Sequence, residues 1–158
     1  LINNAGINII KDIQKVDFKE YDKINNINLK APYMLTSECN FTENSKVVNI
    51  SSIWSIKTKI GRSLYSTMKN GIIGLTKSSS VDLAPNTLVN SVSPGFTNTE
   101  LTDQSLTEDE KKELSSNVPL NRFAETEEIS KVVLFLCSDL NTYITGQNII
   151  VDGGFTVI

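Results

Sequence analysis

The stretch that decides the fold runs from Lys46-Val47-Val48-Asn49-Ile50-Ser51-Ser52, through residues 63–83, to Leu88-Val89-Asn90-Ser91-Val92. Its two ends are short β-branched runs without alternation, the pattern of strands buried on both faces. The piece between them reads as a long helix with an apolar stripe, and Gly71 and Gly74 on it would let a neighbour pack closely. A strand, a crossover helix and a second strand imply a parallel pair, with ligands at the carboxyl ends of the strands. The first strand ends in two hydroxyls, and the second is stopped by Pro94-Gly95.

The same alternation continues outward in both directions. Leu1-Ile2 reads as the tail of a buried strand running into Asn3-Asn4-Ala5-Gly6. Residues 17–38 carry apolar side chains at Phe18, Tyr21, Ile24, Ile27 and Leu29, a helical period, with Asp17 as N-cap and Glu20 completing a capping box. Residues 97–118 are polar and acidic, with a short helix expected over 108–114. A loop of this length points to a lid over substrate, hinged at Pro94-Gly95. Residues 126–137 present Ile129, Val132, Val133 and Leu136 on one helical face, and 148–151 form a last strand ended by Gly153-Gly154. No repeat, linker or low-complexity tract divides the chain, so residues 1–158 read as one α/β unit.

Composition narrows the function. Of 158 residues, 39% are hydrophobic and 21% charged, and the net charge of −3 offers no basic field for nucleic acid or an anionic membrane surface. No apolar run approaches the roughly 18 residues of a membrane span. The chain has no histidine, which removes histidine-based triads and argues against zinc chemistry; no metal is expected. Cys39 and Cys137 make no disulfide framework and are expected reduced, in a cytoplasm.

Tyr65 and Lys69 stand four residues apart, which on a helix puts phenol and ammonium on one face. A cation beside a phenol favours the phenolate, so Tyr65 is expected to exchange protons at lower pH than a free tyrosine. Ser52 lies upstream at a strand end, where its hydroxyl can hold a substrate oxygen; Ser51 competes for that part, and the spacing to Tyr65 favours Ser52.

Taken in order, Asn3-Asn4-Ala5-Gly6, Asn28, Ser51-Ser52, Tyr65 with Lys69, Pro94-Gly95 and Val151-Asp152-Gly153-Gly154 resemble the short-chain dehydrogenase/reductase family over essentially the whole chain. That resemblance implies a Rossmann-type doubly wound parallel sheet, of which this chain holds the C-terminal half, strands four to seven. It implies NAD or NADP as cofactor and a small-molecule carbonyl or secondary alcohol as substrate. Tyr65 resembles the family's general acid, and Lys69 the residue that lowers the tyrosine's pKa and holds the nicotinamide ribose. Ser52 resembles the hydroxyl that polarises the carbonyl, and Asn28 the side chain holding a relay water behind Lys69. An asparagine in mid-helix also suggests a kink there. Asn3, Ala5 and Gly6 would line the cofactor, with Asn3 open to a purely structural strand-bridging role. Pro94 and Gly95 would form the turn beneath the nicotinamide, Thr97 would bind its carboxamide, and Thr99 would lie near the pyrophosphate.

Other residues read as architecture: Asn90, Asp152, Gly153 and Gly154 as structural, and the 108–113 charges as an exposed helix face; Lys57, Lys59 and Arg62 read either as a substrate-facing basic patch or as a solvated loop, and the solvated loop is favoured. The family's glycine-rich pyrophosphate loop has no counterpart in these residues, so the expectation is a partial domain that is inactive by itself. The rival reading is a non-catalytic fragment or pseudoenzyme. The resemblance leans toward 3-oxoacyl carrier-protein reductases, but Glu43 and Asn86 stand where those enzymes carry basic residues, which favours a sugar or small alcohol instead. Family members associate through their two long helices and C-terminal strand, so a homodimer or homotetramer is expected of the complete protein.

Overall fold

The computed structural model describes residues 1–100, 102 and 106–158. Among these, strands β1 (Ile2–Asn3), β2 (Ser45–Ile50), β3 (Thr87–Pro94) and β4 (Asn148–Val151) form one parallel sheet in that order. Each strand returns to the same direction through a helical crossover, as the sequence pattern requires. The register aligns Asn3 with Asn49, Asn49 with Ser91 and Ser91 with Asn148, a polar line across the sheet. Its members bond in pairs: Asn3 Nδ2 donates to Asn49 Oδ1 at 2.8 Å and the Ser91 hydroxyl to Asn148 Oδ1 at 2.9 Å.

Helices cover both faces. On one lie α1 (Phe18–Asn25), α2 (Ala31–Glu38) and α3 (Ser63–Asp82); on the other lies a helix at Thr126–Cys137, numbered α5 because α4 (Glu108–Ser116) precedes it. The pleat of β2 serves both. Asn49 faces α3 and donates to the Thr76 hydroxyl at 2.9 Å, while Val48, one residue away, packs with Val92 and Leu136 under α5. The opposite core is Ile24, Leu64 and Met68, flanked by Leu29 and Tyr65. This is the doubly wound α/β arrangement expected from the alternation, with the carboxyl ends of β1, β2 and β3 together at one edge.

Several details depart from the sequence reading. Residues 17–38 are not one regular helix: a π-helical turn at Asn26–Lys30 separates α1 from α2, and the Ala31 N–H reaches back five residues to the Asn26 carbonyl. The expected irregularity at Asn28 is therefore a π turn, and Pro32, with no N–H, offers no α-type donor to the residue 28 carbonyl. The capping box of Asp17 and Glu20 is present. Strand β3 runs on through Pro94 rather than stopping before it, because Pro94 lies at the strand end. Gly71 is packed as expected, with a Cβ there only 2.8 Å from Leu29 Cδ2, but Gly74 faces open space.

The 97–118 segment is not structureless. Thr97 bridges to Ala124, α4 carries its own capping box from Thr107 and Glu110, and Val118 is buried against Gly153. The lid expectation falls partly on residues 101 and 103–105, which lie outside the described residues. No described helix is long and apolar enough to cross a membrane.

Candidate active site

The site forms where β1, β2 and β3 end. Ser51 and Ser52 follow β2 directly, and the backbone turns there because the Ser52 hydroxyl accepts from the Trp54 N–H at 3.2 Å, starting a short 3₁₀ turn at Ile53–Ser55. The two serines part ways. The Ser51 hydroxyl donates to the Lys69 carbonyl at 2.9 Å, pinning the strand end to α3, whereas the Ser52 hydroxyl acts on the Tyr65 phenol. The geometry therefore gives Ser51 to architecture and leaves Ser52 on the side of Tyr65.

Lys69 is 4% exposed, one turn along α3 from Tyr65, with Nζ 5.6 Å from the centre of the Tyr65 ring. Nζ donates to the Ile50 carbonyl at 2.8 Å. Burial pulls its ammonium down to about 8 from the ordinary lysine value. Tyr65 moves the other way. Burial pushes its phenol above the usual range, against the pull of the Ser52 hydroxyl and then of the Arg62 guanidinium. The expectation of a tyrosine made acidic by Lys69 is thus overturned: desolvation outweighs the neighbours, and Tyr65 holds its proton at neutral pH. A neutral phenol is the form that donates a proton.

Asn28 is 1% exposed, in the π turn, and its side chain holds the backbone of Ile7. Oδ1 accepts from the Ile7 N–H at 2.9 Å and Nδ2 donates to the Ile7 carbonyl at 2.7 Å. The amide thereby braces the loop after β1, and these two bonds leave a second N–H on Nδ2 and a second lone pair on Oδ1. That loop is brought against the site, since a Cβ on Gly6 would lie 3.5 Å from Lys69 Nζ and 3.7 Å from Asn28 Oδ1. Ala5, beside it, is exposed.

Asn3 takes the structural alternative. Its amide nitrogen bridges to Asn49 and, at 3.3 Å, to the Thr36 hydroxyl, while its Oδ1 is buried without a partner. Pro94, Thr97 and Thr99 line one cavity of about 650 Å³ together with Asn4, Ile50 and the apolar face of α5. Gly95 is fixed by packing, because a Cβ there would meet Asp152 Cα at 2.7 Å. Asp152 is structural, accepting from the Gly154 and Thr156 N–H groups at 2.9 and 2.7 Å, and Asn90 fastens the chain at Ile144 and Gln147.

A nicotinamide dinucleotide fits these residues on one observation in particular. Lys69 Nζ has three donors and spends one on Ile50, and the missing side chain at Gly6 leaves room beside it. Two ribose hydroxyls are what such a pair of donors holds. Lys69, Tyr65, Ala5, Gly6, Pro94 and Thr97 would be the residues to hold that end of the molecule, with Thr99 toward the pyrophosphate.

The loop from β2 to α3 holds contacts that the sequence reading of its basic cluster did not show. Lys57, Lys59 and Arg62 are not simply solvated. Lys59 Nζ and the Arg62 guanidinium lie 5.4 and 5.2 Å from the Trp54 ring centre, and Lys57 Nζ lies 5.2 Å from that of Phe155. Trp54 also meets Phe96 and Phe155 edge-on. The one available signal was a lone tryptophan two residues after Ser52. Beyond it opens a second cavity, of about 890 Å³.

The chain matches the family model described as enoyl-(acyl carrier protein) reductase over residues 1–156. It is 40% identical to a 3-oxoacyl-[acyl-carrier-protein] reductase of Aquifex aeolicus across 98% of its own length, and 37% identical to that of Thermotoga maritima across 99%. It spans about 64% and 65% of those proteins. Among solved structures it resembles a short-chain dehydrogenase/reductase described as a glucose/ribitol dehydrogenase from Brucella melitensis. There the TM-score is 0.93 and the identity 30%, over 98% of this chain and 64% of that one. It also resembles a 4-hydroxyisoleucine dehydrogenase complexed with NADH, with TM-score 0.94 and identity 32%, over 100% and 68% of the two chains. The chain belongs to the short-chain dehydrogenase/reductase family.

Proposed function

We propose that the protein to which these residues belong is an NAD(P)-dependent oxidoreductase that interconverts a carbonyl and a secondary alcohol. The observation that carries this reading is the meeting of three groups. Ser52 and a protonated Tyr65 act on one another, and a buried Lys69 with two uncommitted donors lies one helical turn away. Ser52 holds the substrate oxygen, and Tyr65 delivers its proton to that oxygen. When bound, the reduced nicotinamide supplies the hydride to the carbonyl carbon, so the product alcohol gains one hydride and one proton. Lys69 binds the ribose hydroxyls and fixes the register between the two partners. Asn28 and Gly6 keep the loop after β1 clear of Nζ. Delivery leaves Tyr65 as a tyrosinate, and in the reverse direction that tyrosinate receives the alcohol's proton.

For substrate class, the relatives named above favour a 3-oxoacyl thioester. The objection from Glu43 and Asn86 weakens on this fold. They precede β2 and β3, at the amino ends of the strands, while the site gathers at the carboxyl ends. Acetoacetyl-N-acetylcysteamine, supplied to the full-length protein with NADPH or NADH, tests the reading. The expected result is stoichiometric conversion to the hydroxy thioester with oxidation of one of the two nucleotides. No oxidation of either with any carbonyl offered would contradict it.

A further inference from the structure

Residues 54–62 connect the serine of the site to its tyrosine and carry Lys57, Lys59 and Arg62 with no carboxylate. The three cations have different fates. Lys57 is spent, donating to the carbonyls of Phe155, at 3.0 Å, and Ile158. Lys59 is exposed on the outer side of Trp54. Arg62 is the N-cap residue of α3, three positions before Tyr65, and its backbone N–H is taken by the Lys59 carbonyl at 3.1 Å.

The side chain of Arg62 is half-buried with its guanidinium over the Trp54 ring, yet among the described residues none of its donors has an acceptor. It forms no ion pair among the described residues, and its Nε is buried without a partner. A guanidinium cannot shed its charge, so the unmet donor is a standing cost to the fold. The planar fork is also held in place by the indole beneath it, so it meets a ligand with little left to order. Trp54 is in turn tied to Ser52 through its own N–H. The fork is therefore joined to Ser52 through Trp54, and it lies three residues before Tyr65 on the same chain, near enough for its charge to act on the phenol.

We infer that Arg62 is a substrate-binding, specificity-determining residue that grips a carboxyl-derived oxygen of the substrate while the neighbouring carbonyl faces Ser52 and Tyr65. The inference rests on the hydride-transfer reading for what happens at that carbonyl, but not for the grip itself. The ligand chemistry is an oxygen acceptor beside a ketone, supplied either by an oxo acid or by an oxoacyl thioester. A plain ketone offers nothing to the fork and leaves it unpaired, so the site rejects it.

Two measurements on the full-length protein separate the grip from the chemistry. In the first, phenylglyoxal modifies arginines and the labelled peptides are quantified. Arg122, bonded to Glu128 at 2.6 Å, is the control inside the chain. Acetoacetate or its N-acetylcysteamine thioester is expected to slow labelling of Arg62 but not of Arg122, and butanone to slow neither. Protection by acetoacetate alone assigns the oxo acid as the source of the oxygen; protection by the thioester assigns the acyl thioester. No protection by either, or equal protection by butanone, overturns the inference.

In the second measurement, Arg62→Met keeps an apolar stem on Trp54 and removes the fork. It should raise KM for the protected ligand by roughly tenfold or more relative to butanone. Loss of both activities in equal proportion, or a change confined to the pH profile, would make Arg62 a structural or positioning residue and refute the grip. Protection of Arg62 without oxidation of NADPH or NADH by any of the three carbonyls would sink the hydride-transfer reading and leave the grip standing.

Discussion

Lys69 carries a conflict between folding and chemistry that can be measured. Its ammonium is buried with one acceptor, and its pKa falls to about 8. The unfolded chain therefore binds more protons than the folded one between about pH 8 and the ordinary lysine value, and stability rises with pH across that window. Below it the charged form is present in both states and the full burial penalty remains. Lys69→Met should accordingly stabilise the fold at pH 7, by roughly 1–3 kcal/mol after allowing for the lost bond to Ile50. The gain should shrink as the pH approaches 10. Urea melts at the two pH values read this directly, and a Lys69→Met protein less stable at pH 7 would contradict it. The identities of Ser52, Tyr65 and Lys69 were legible because their spacing survives in one dimension. The direction of the Tyr65 shift was not, since burial, which sets it, is a property of the packed molecule. The same limit hid the seat of Arg62: its place in a basic cluster was legible, but nothing in Gly61-Arg62-Ser63 reveals that an indole lies beneath the guanidinium.

Among the elements, the strands and helices were readable because β-branched runs and a 3.6-residue period differ sharply. The π turn at Asn26–Lys30 was only half readable. Asn28 signalled an irregularity, but one extra residue in a turn leaves the apolar period almost unchanged on either side. Packing between elements yields a further prediction. Gly95 begins the connection from β3 toward β4 with Asp152 backbone 2.7 Å from its Cβ position, and backbone cannot rotate aside as a side-chain tip can. Gly95→Ala should destabilise the protein by about 1–3 kcal/mol. Gly71→Ala should cost less, because only the end of Leu29 must move. Equal denaturation midpoints for Gly95→Ala and the parent would show that β4 is not held where the sheet places it.

For the molecule as a whole, the outer faces of α2 and α3 are unevenly finished. Leu29, Tyr33, Leu75 and Leu83 line a groove of about 620 Å³ between them, and Tyr33 is 58% exposed. Gly74 beside that groove has no neighbour within 4 Å. Such a bare stretch of helix suits the close approach of a second helix, so the account predicts a dimer or tetramer of the full-length protein through this face. Gly74→Arg should reduce the mass measured by light scattering to that of a smaller species without unfolding it; an unchanged mass would move the interface elsewhere.

The central claim is that Tyr65 hands its proton to a substrate oxygen held by Ser52, and Tyr65→Phe removes that proton while leaving a ring of the same shape. The deciding measurement is a single turnover of the full-length Tyr65→Phe protein, with nucleotide binding followed in the same sample. The account predicts that NADPH or NADH still binds within a few-fold of the parent while the hydride step slows by roughly 10²–10⁴-fold or more. A Tyr65→Phe protein that reduces its substrate at the parent's rate would contradict it.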